Sequence, residues 1–161
     1  MKTLAQWLDA YGESHRNPIN RTVHHICVPA IMFSLLGLLW LLPLPFGGLL
    51  PDYLNHLAVV LVCLAGAFYI WLSWRIAIGA ILMSVLMLWG VWMVDNLAWP
   101  LFELSLLVFV LAWIGQFIGH AIEGRRPSFA EDIRFLLIGP LWVVAHAYAV
   151  LEIPVDGHTG N

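Results

Sequence analysis

Five apolar stretches, at residues 26–42, 57–74, 76–94, 101–119 and 135–150, take up more than half of this 161-residue chain. A helix that crosses a bilayer needs about 20 apolar residues, with about 17–25 the usual range. The first four stretches reach that length once flanking residues are counted. The fifth is short and contains Gly139-Pro140. Only Arg75 separates the second and third stretches, so the chain must turn back within residues 71–79. The expected fold is all-α: a polytopic membrane helix bundle of four to five transmembrane helices forming one domain over residues 1–161.

Composition agrees. Hydrophobic residues make up 61% of the chain and charged residues 11%, against about half and about a quarter in soluble domains. That apolar surplus does not fit inside one small core, which excludes a soluble globular domain and a disordered chain. Seven Lys+Arg against ten Asp+Glu provide no basic surface for phosphates, so no nucleic-acid partner is expected. Cys27 and Cys63 both lie in apolar runs and do not make a disulfide framework. Residues 1–25 are polar, and no cleavable signal peptide is expected.

With the N-terminus in the cytoplasm, Lys2, Arg16, Arg21, Arg75, Arg125, Arg126 and Arg134 all fall on the inner side, and these are the seven basic residues of the chain. Asp52, Asp95, Glu152 and Asp156 fall outside on a five-span count. This is the positive-inside pattern of an integral membrane protein. It accommodates four crossings equally well, because no basic residue follows the fifth stretch. Trp71 and Trp74 are expected at the inner interface, and Trp40, Trp92 and Trp99 in an outer belt. Leu4, Trp7, Leu8 and Tyr11 mark one face of a short amphipathic helix over residues 3–11, expected to lie in the membrane interface. Ser128 to Glu131 reads as a capping box that starts the last helix at the inner surface. Gly115 and Gly119, four apart, permit close helix contact and a possible homodimer.

Histidine is over-supplied for such a chain: there are seven. His15, His24 and His25 precede or open the first stretch, and His120 closes the fourth with Glu123 one turn on, so all share the inner surface. Neutral imidazole ligates iron, zinc and copper. Two or more histidines with a carboxylate and open positions suit non-heme Fe(II) and O2. Asn17, Asn20 and Gln116 are near enough to orient the rings. Each histidine alone could equally be a polar helix-end residue. His24 and His25 point about 100° apart on a helix, which sets His25 aside, and His56 and His158 read as solvated. His146 lies about 16 Å along the last stretch from Phe135. It reaches the others only if Gly139-Pro140 bends the helix or the segment stays near the inner face.

Two motifs carry a resemblance. One is His15-Arg16-Asn17-Pro18-Ile19-Asn20, continuing to His24 and then Val28-Pro29. The other is Gln116-Phe117-Ile118-Gly119-His120, followed by Glu123, Arg125-Arg126 and Pro127. Together, in order and across nearly the whole chain, they resemble the family of small membrane proteins typified by the yeast 2-hydroxy fatty acid dioxygenase. The resemblance implies an Fe(2+)-dependent dioxygenase of lipid α-oxidation in a bacterial inner membrane or endoplasmic reticulum. Its partners would be a 2-hydroxy fatty acid, O2 and membrane lipid. It implies His15, His24 and His120 as catalytic metal ligands. The chain departs from the family pattern twice. Glu123 comes three residues after His120 rather than four, and His146 stands where the family tends to have an acidic residue. The second departure makes His146 a candidate fourth ligand. Arg125 or Arg126 is the candidate holder of the substrate carboxylate. The rival readings are another metal-dependent lipid hydroxylase or hydrolase, or a non-catalytic membrane scaffold or transporter.

Overall fold

The computed structural model describes residues 2–45, 49, 51–126 and 134–155. Six α-helices and one short 3-10 turn follow in order: α1 (Leu4–Gly12), α2 (Pro18–Trp40), the turn at Asp52–Leu54, α3 (Leu57–Leu72), α4 (Trp74–Asn96), α5 (Leu101–Glu123) and α6 (Phe135–Val150). Helices α2, α4 and α5 have 23 residues each and are long and apolar enough to cross a membrane; α3 and α6 are shorter apolar helices of 16. The expected capping box at residues 128–131 and the tail with Asp156 and His158 lie outside the described residues.

Local chemistry sets the boundaries. Thr3 caps α1 by accepting from the Gln6 amide at 3.3 Å, and the Gln6 side chain accepts the Thr3 amide at 2.9 Å, a reciprocal capping box. Asn17 caps α2 by accepting from the Ile19 amide at 2.9 Å, with Pro18 in the first helical position, where its missing N–H is not needed. Helix α2 therefore begins eight residues before the apolar run, and His24 and His25 lie inside it rather than at its mouth. Ser73 ends α3 and starts α4, inside the expected turn. Gly124 ends α5 with φ 71°, a left-handed conformation that favours glycine.

Helix α2 packs most extensively on α5, and the small residues of α5 make this possible. A Cβ at Gly119 would overlap Asn20 Oδ1, and one at Gly115 would lie 2.7 Å from Cys27 Sγ. The glycine pair expected to support a homodimer thus faces α2 of the same chain.

The apolar face of α1 is buried on protein rather than laid in the interface. Leu4, Trp7, Leu8 and Tyr11 join Tyr69, Ile76, Phe135, Ile138 and Leu141 in one core cluster, and Trp7 meets Phe135 edge-on at 5.2 Å. A second cluster, around Leu36, Trp40, Ala58, Val91 and Leu101, fills the opposite end. Trp40 is not a belt residue. It is buried, stacks on His56 at 3.9 Å and donates to Asp95 at 3.1 Å. His56 is correspondingly half-buried rather than solvated. Trp71, Trp74, Trp92 and Trp99 are exposed, as a belt requires. Leu64, Leu82, Leu86, Leu107 and Leu111 are also more than half exposed, an apolar exterior suited to lipid.

Helix α6 rises about 24 Å, less than the ~30 Å hydrocarbon core. Pro140 lies within it without ending it. Its start meets Trp7, and Tyr148 near its end donates to the Arg75 carbonyl at 3.2 Å. Both contacts are at the end of the bundle that holds α1 and the α3–α4 turn.

The glycine packing has a measurable consequence. Gly119→Ala forces the Asn20 side chain to move and is expected to lower stability by roughly 1–3 kcal/mol, as overpacking does. At Gly66 the added Cβ would meet Ile81 at an ordinary 3.5 Å, so Gly66→Ala should be neutral or stabilising. Thermal unfolding in detergent distinguishes the two.

Candidate functional site

Three histidines expected from distant segments converge. The ring centroids of His15 and His24 are 4.1 Å apart, those of His24 and His120 are 4.8 Å, and those of His15 and His120 are 5.1 Å. One ring nitrogen from each falls within 4.8 Å of the others, and all three side chains are buried.

The backbone orients two of the rings by one device. His15 Nδ1 lies 2.6 Å from the Tyr11 carbonyl, and His24 Nδ1 lies 3.0 Å from the Asn20 carbonyl. A carbonyl only accepts, so each Nδ1 carries the proton and each Nε2 keeps its lone pair. In both cases the carbonyl belongs to the fourth residue before the histidine. His15 Nε2 and His120 Nδ1 are buried and have no hydrogen-bond partner. The Gln116 side chain hydrogen-bonds His24. Tyr11 stacks on His15 at 4.3 Å, and Trp142 lies 5.4 Å from the same ring. Tyr11 and Trp142 were missed in the sequence. The i, i+4 spacing of Tyr11 to His15, like that of Asn20 to His24, was the available signal.

Glu123 is not one of the converging donors, because its oxygens are occupied. It accepts from the Arg16 amide at 3.0 Å, the Asn17 amide at 2.9 Å and Asn20 Nδ2 at 3.1 Å. Asn20, fully buried, also donates to the Ser14 carbonyl at 3.1 Å. The end of α5 is thereby tied to the α1–α2 loop, which carries His15.

His146 is not brought to the three histidines. Its ring meets His25 at 4.3 Å, and His25 in turn meets Trp142 at 4.7 Å. Because α6 stays at the α1 end without bending around α2, His146 takes the His25 side of that helix. It therefore falls outside the group as a fourth donor. Arg125 and Arg126 are exposed, Arg125 donating to the Glu13 carbonyl at 3.3 Å. Neither lines the small cavity of about 60 Å³ beside the histidines, which is walled by Tyr11, Met32, Trp113, Gln116, Leu136 and Pro140 among others.

A buried, neutral imidazole lone pair with no donor facing it is costly unless a cation or proton fills the gap. Three converging buried imidazoles, two of them with an unpartnered nitrogen, fit a borderline metal ion such as iron or zinc. Burial works against the proton: it lowers the His15 pKa to about 4. The unfolded value is about 6.5, so folding disfavours protonation. Stability from this group is present above pH 6.5 and is lost as pH falls toward 4. The loss amounts to about 3 kcal/mol in metal-free protein. Unfolding midpoints measured from pH 7 to 4 should fall more steeply for the wild type than for His15→Asn; parallel profiles would contradict it. Glu123→Gln places an amide against backbone donors and, if the three histidines hold a metal, should weaken its binding about 10–100-fold in a competition titration against a chelator.

A family model described as 2-hydroxy-palmitic acid dioxygenase Mpo1-like matches residues 1–151. The 2-hydroxy-palmitic acid dioxygenase MPO1 of Saccharomyces cerevisiae is 28% identical over 143 residues, which cover 88% of this chain and 77% of the yeast protein. No solved structure matches the chain. By sequence, then, this chain belongs to the Mpo1-like family of 2-hydroxy-palmitic acid dioxygenases.

Proposed function

We propose that this protein is an integral membrane, Fe(II)-dependent dioxygenase that shortens 2-hydroxy fatty acids by one carbon, cleaving the C1–C2 bond with O2. The observation that carries this reading is the convergence of the buried His15, His24 and His120 rings, with His15 Nε2 and His120 Nδ1 left without a hydrogen-bond partner. The named activity of the yeast relative supports the substrate class. Iron(II) held by three imidazoles would supply O2 activation and keep open positions for the carboxylate and hydroxyl of a 2-hydroxy acid.

The chain's own residues do the rest. The Tyr11 and Asn20 carbonyls hold the Nδ1 protons of His15 and His24, so both Nε2 lone pairs point away from the backbone. Glu123 holds the His15 loop at the end of α5. Phe135, Leu136 and Pro140 of α6 cover the cavity with apolar surface and exclude water. The distribution of the basic residues supports a cytoplasmic side for the N-terminus and this site. Four crossings, α2 to α5, with α6 held at the inner end, agree with the contacts of α6.

The test uses purified protein reconstituted anaerobically with Fe(II). Near-stoichiometric iron and O2 uptake that depends on 2-hydroxypalmitate are expected. His120→Ala should lose both while keeping the wild-type helical circular dichroism. Full iron content in that variant would contradict the ligand set, and lipid conversion without O2 uptake would point to a hydrolase.

A further inference from the structure

The two core clusters do not meet. Between them lies a cavity of about 350 Å³ formed by α2, α3, α4 and α6. Ala65, Tyr69 and Leu137 line it from the inner cluster, and Leu36, Leu61 and Val62 from the outer one. It shares three wall residues, Met32, Leu136 and Pro140, with the small cavity beside the histidines. The two spaces are therefore neighbours separated only by those side chains.

The wall requires no polar occupant. Tyr69 donates its hydroxyl to the Leu137 carbonyl at 3.1 Å, and Ser84 donates to the Ala80 carbonyl at 2.8 Å. The Arg134 guanidinium lies over the Trp7 ring at 5.2 Å. The remaining lining is hydrocarbon. This apolar pocket, partly open to the exterior of the bundle, is favourable for a hydrocarbon chain, at about 0.8 kcal/mol for each methylene moved out of water. Its length also fits. Helix α2 rises about 18 Å from His24 to Leu36, and a ~30 Å bilayer core is two acyl chains deep, so the distance is that of one long acyl tail.

We propose that these two spaces form one channel that takes the acyl tail of the substrate inside the bundle, with Met32, Leu136 and Pro140 as the gate and Val62 and Ala65 as chain-length determinants. This rests on the dioxygenase reading for the identity of the head group, but not for the path of the tail. The amphiphile enters with its polar end at the histidines, and its methyl end lies between α3 and α4 rather than in the surrounding lipid.

The test is photo-crosslinking of the iron-loaded protein with a 2-hydroxy fatty acid carrying a diazirine at its methyl end. Label is expected on α3 and α4 around Leu61, Val62, Ala65 and Ser84, and excess 2-hydroxypalmitate should remove it. Label confined to outward residues such as Leu107 and Leu111, or label that resists competition, would overturn the channel as bulk lipid contact. Ala65→Phe, which shortens the space, should lower kcat/KM for 2-hydroxypalmitate at least tenfold relative to 2-hydroxyoctanoate. An equal effect on both acids would also overturn it. Competed label in the channel without turnover would keep the tail path and remove the dioxygenase reading. Turnover with label only on outward residues would do the reverse.

Discussion

The arrangement of this molecule depends on the contact between the first turn of α2 and the last turn of α5, where Asn20 and Glu123 meet. Glu123 is the acceptor for two consecutive backbone amides and one side-chain amide. Hydrogen bonds to a charged group contribute about 1.5–3 kcal/mol each. Gly119 is what admits Asn20 to this position, since any side chain there would occupy the same space. The buried Asn20 carboxamide donates to the Ser14 carbonyl and the Glu123 carboxylate, while the backbone carbonyl of the same residue accepts from the His24 ring. The Tyr11 and Asn20 backbone carbonyls orient two of the three converging rings, those of His15 and His24.

That contact also explains how chemistry can be placed at a membrane surface. The polar groups of the histidine site are gathered at one end of the bundle, while the exterior of α3 to α5 remains apolar. Helix α1 and helix α6 close over the gathered end, so the ring nitrogens are removed from water although they lie near the chain's polar segments. On the proposed reading, an amphiphilic substrate matches this division. Its carboxylate and hydroxyl belong at the polar end and its tail belongs in the apolar interior, so one binding event satisfies both environments.

Much of this was legible in the sequence, and the exceptions have physical causes. The apolar stretches located α3 to α6 to within a few residues, because a hydrophobic run long enough to cross a bilayer has few alternatives to a helix. The first turns of α2 lie outside the apolar run because Asn20, Arg21, Thr22, His24 and His25 are polar. The cap at Asn17 and the proline at the first position were the better signals there. The face of α1 was read correctly but assigned to lipid, since hydrophobic periodicity does not say whether lipid or protein covers a face. The glycine pair was ambiguous in the same way. His15, His24 and His120 were readable as a group because short polar motifs flank each of them. His146 is a candidate only through the family pattern, where it stands in place of an acidic residue. Which side of α2 it faces is decided by the packing of α6 on α1 and α4, and no local pattern encodes that.

The central claim of the proposed reading is that three imidazoles, and no carboxylate among the described residues, would hold one ion. X-ray absorption of the Fe(II)-loaded protein reads this directly through the multiple scattering of histidine rings. The account predicts a first shell with three imidazole nitrogens, falling to two in His15→Ala, and unchanged in His146→Ala. A shell of oxygen ligands without ring scattering, or one that loses a nitrogen with His146 and none with His15, would contradict it.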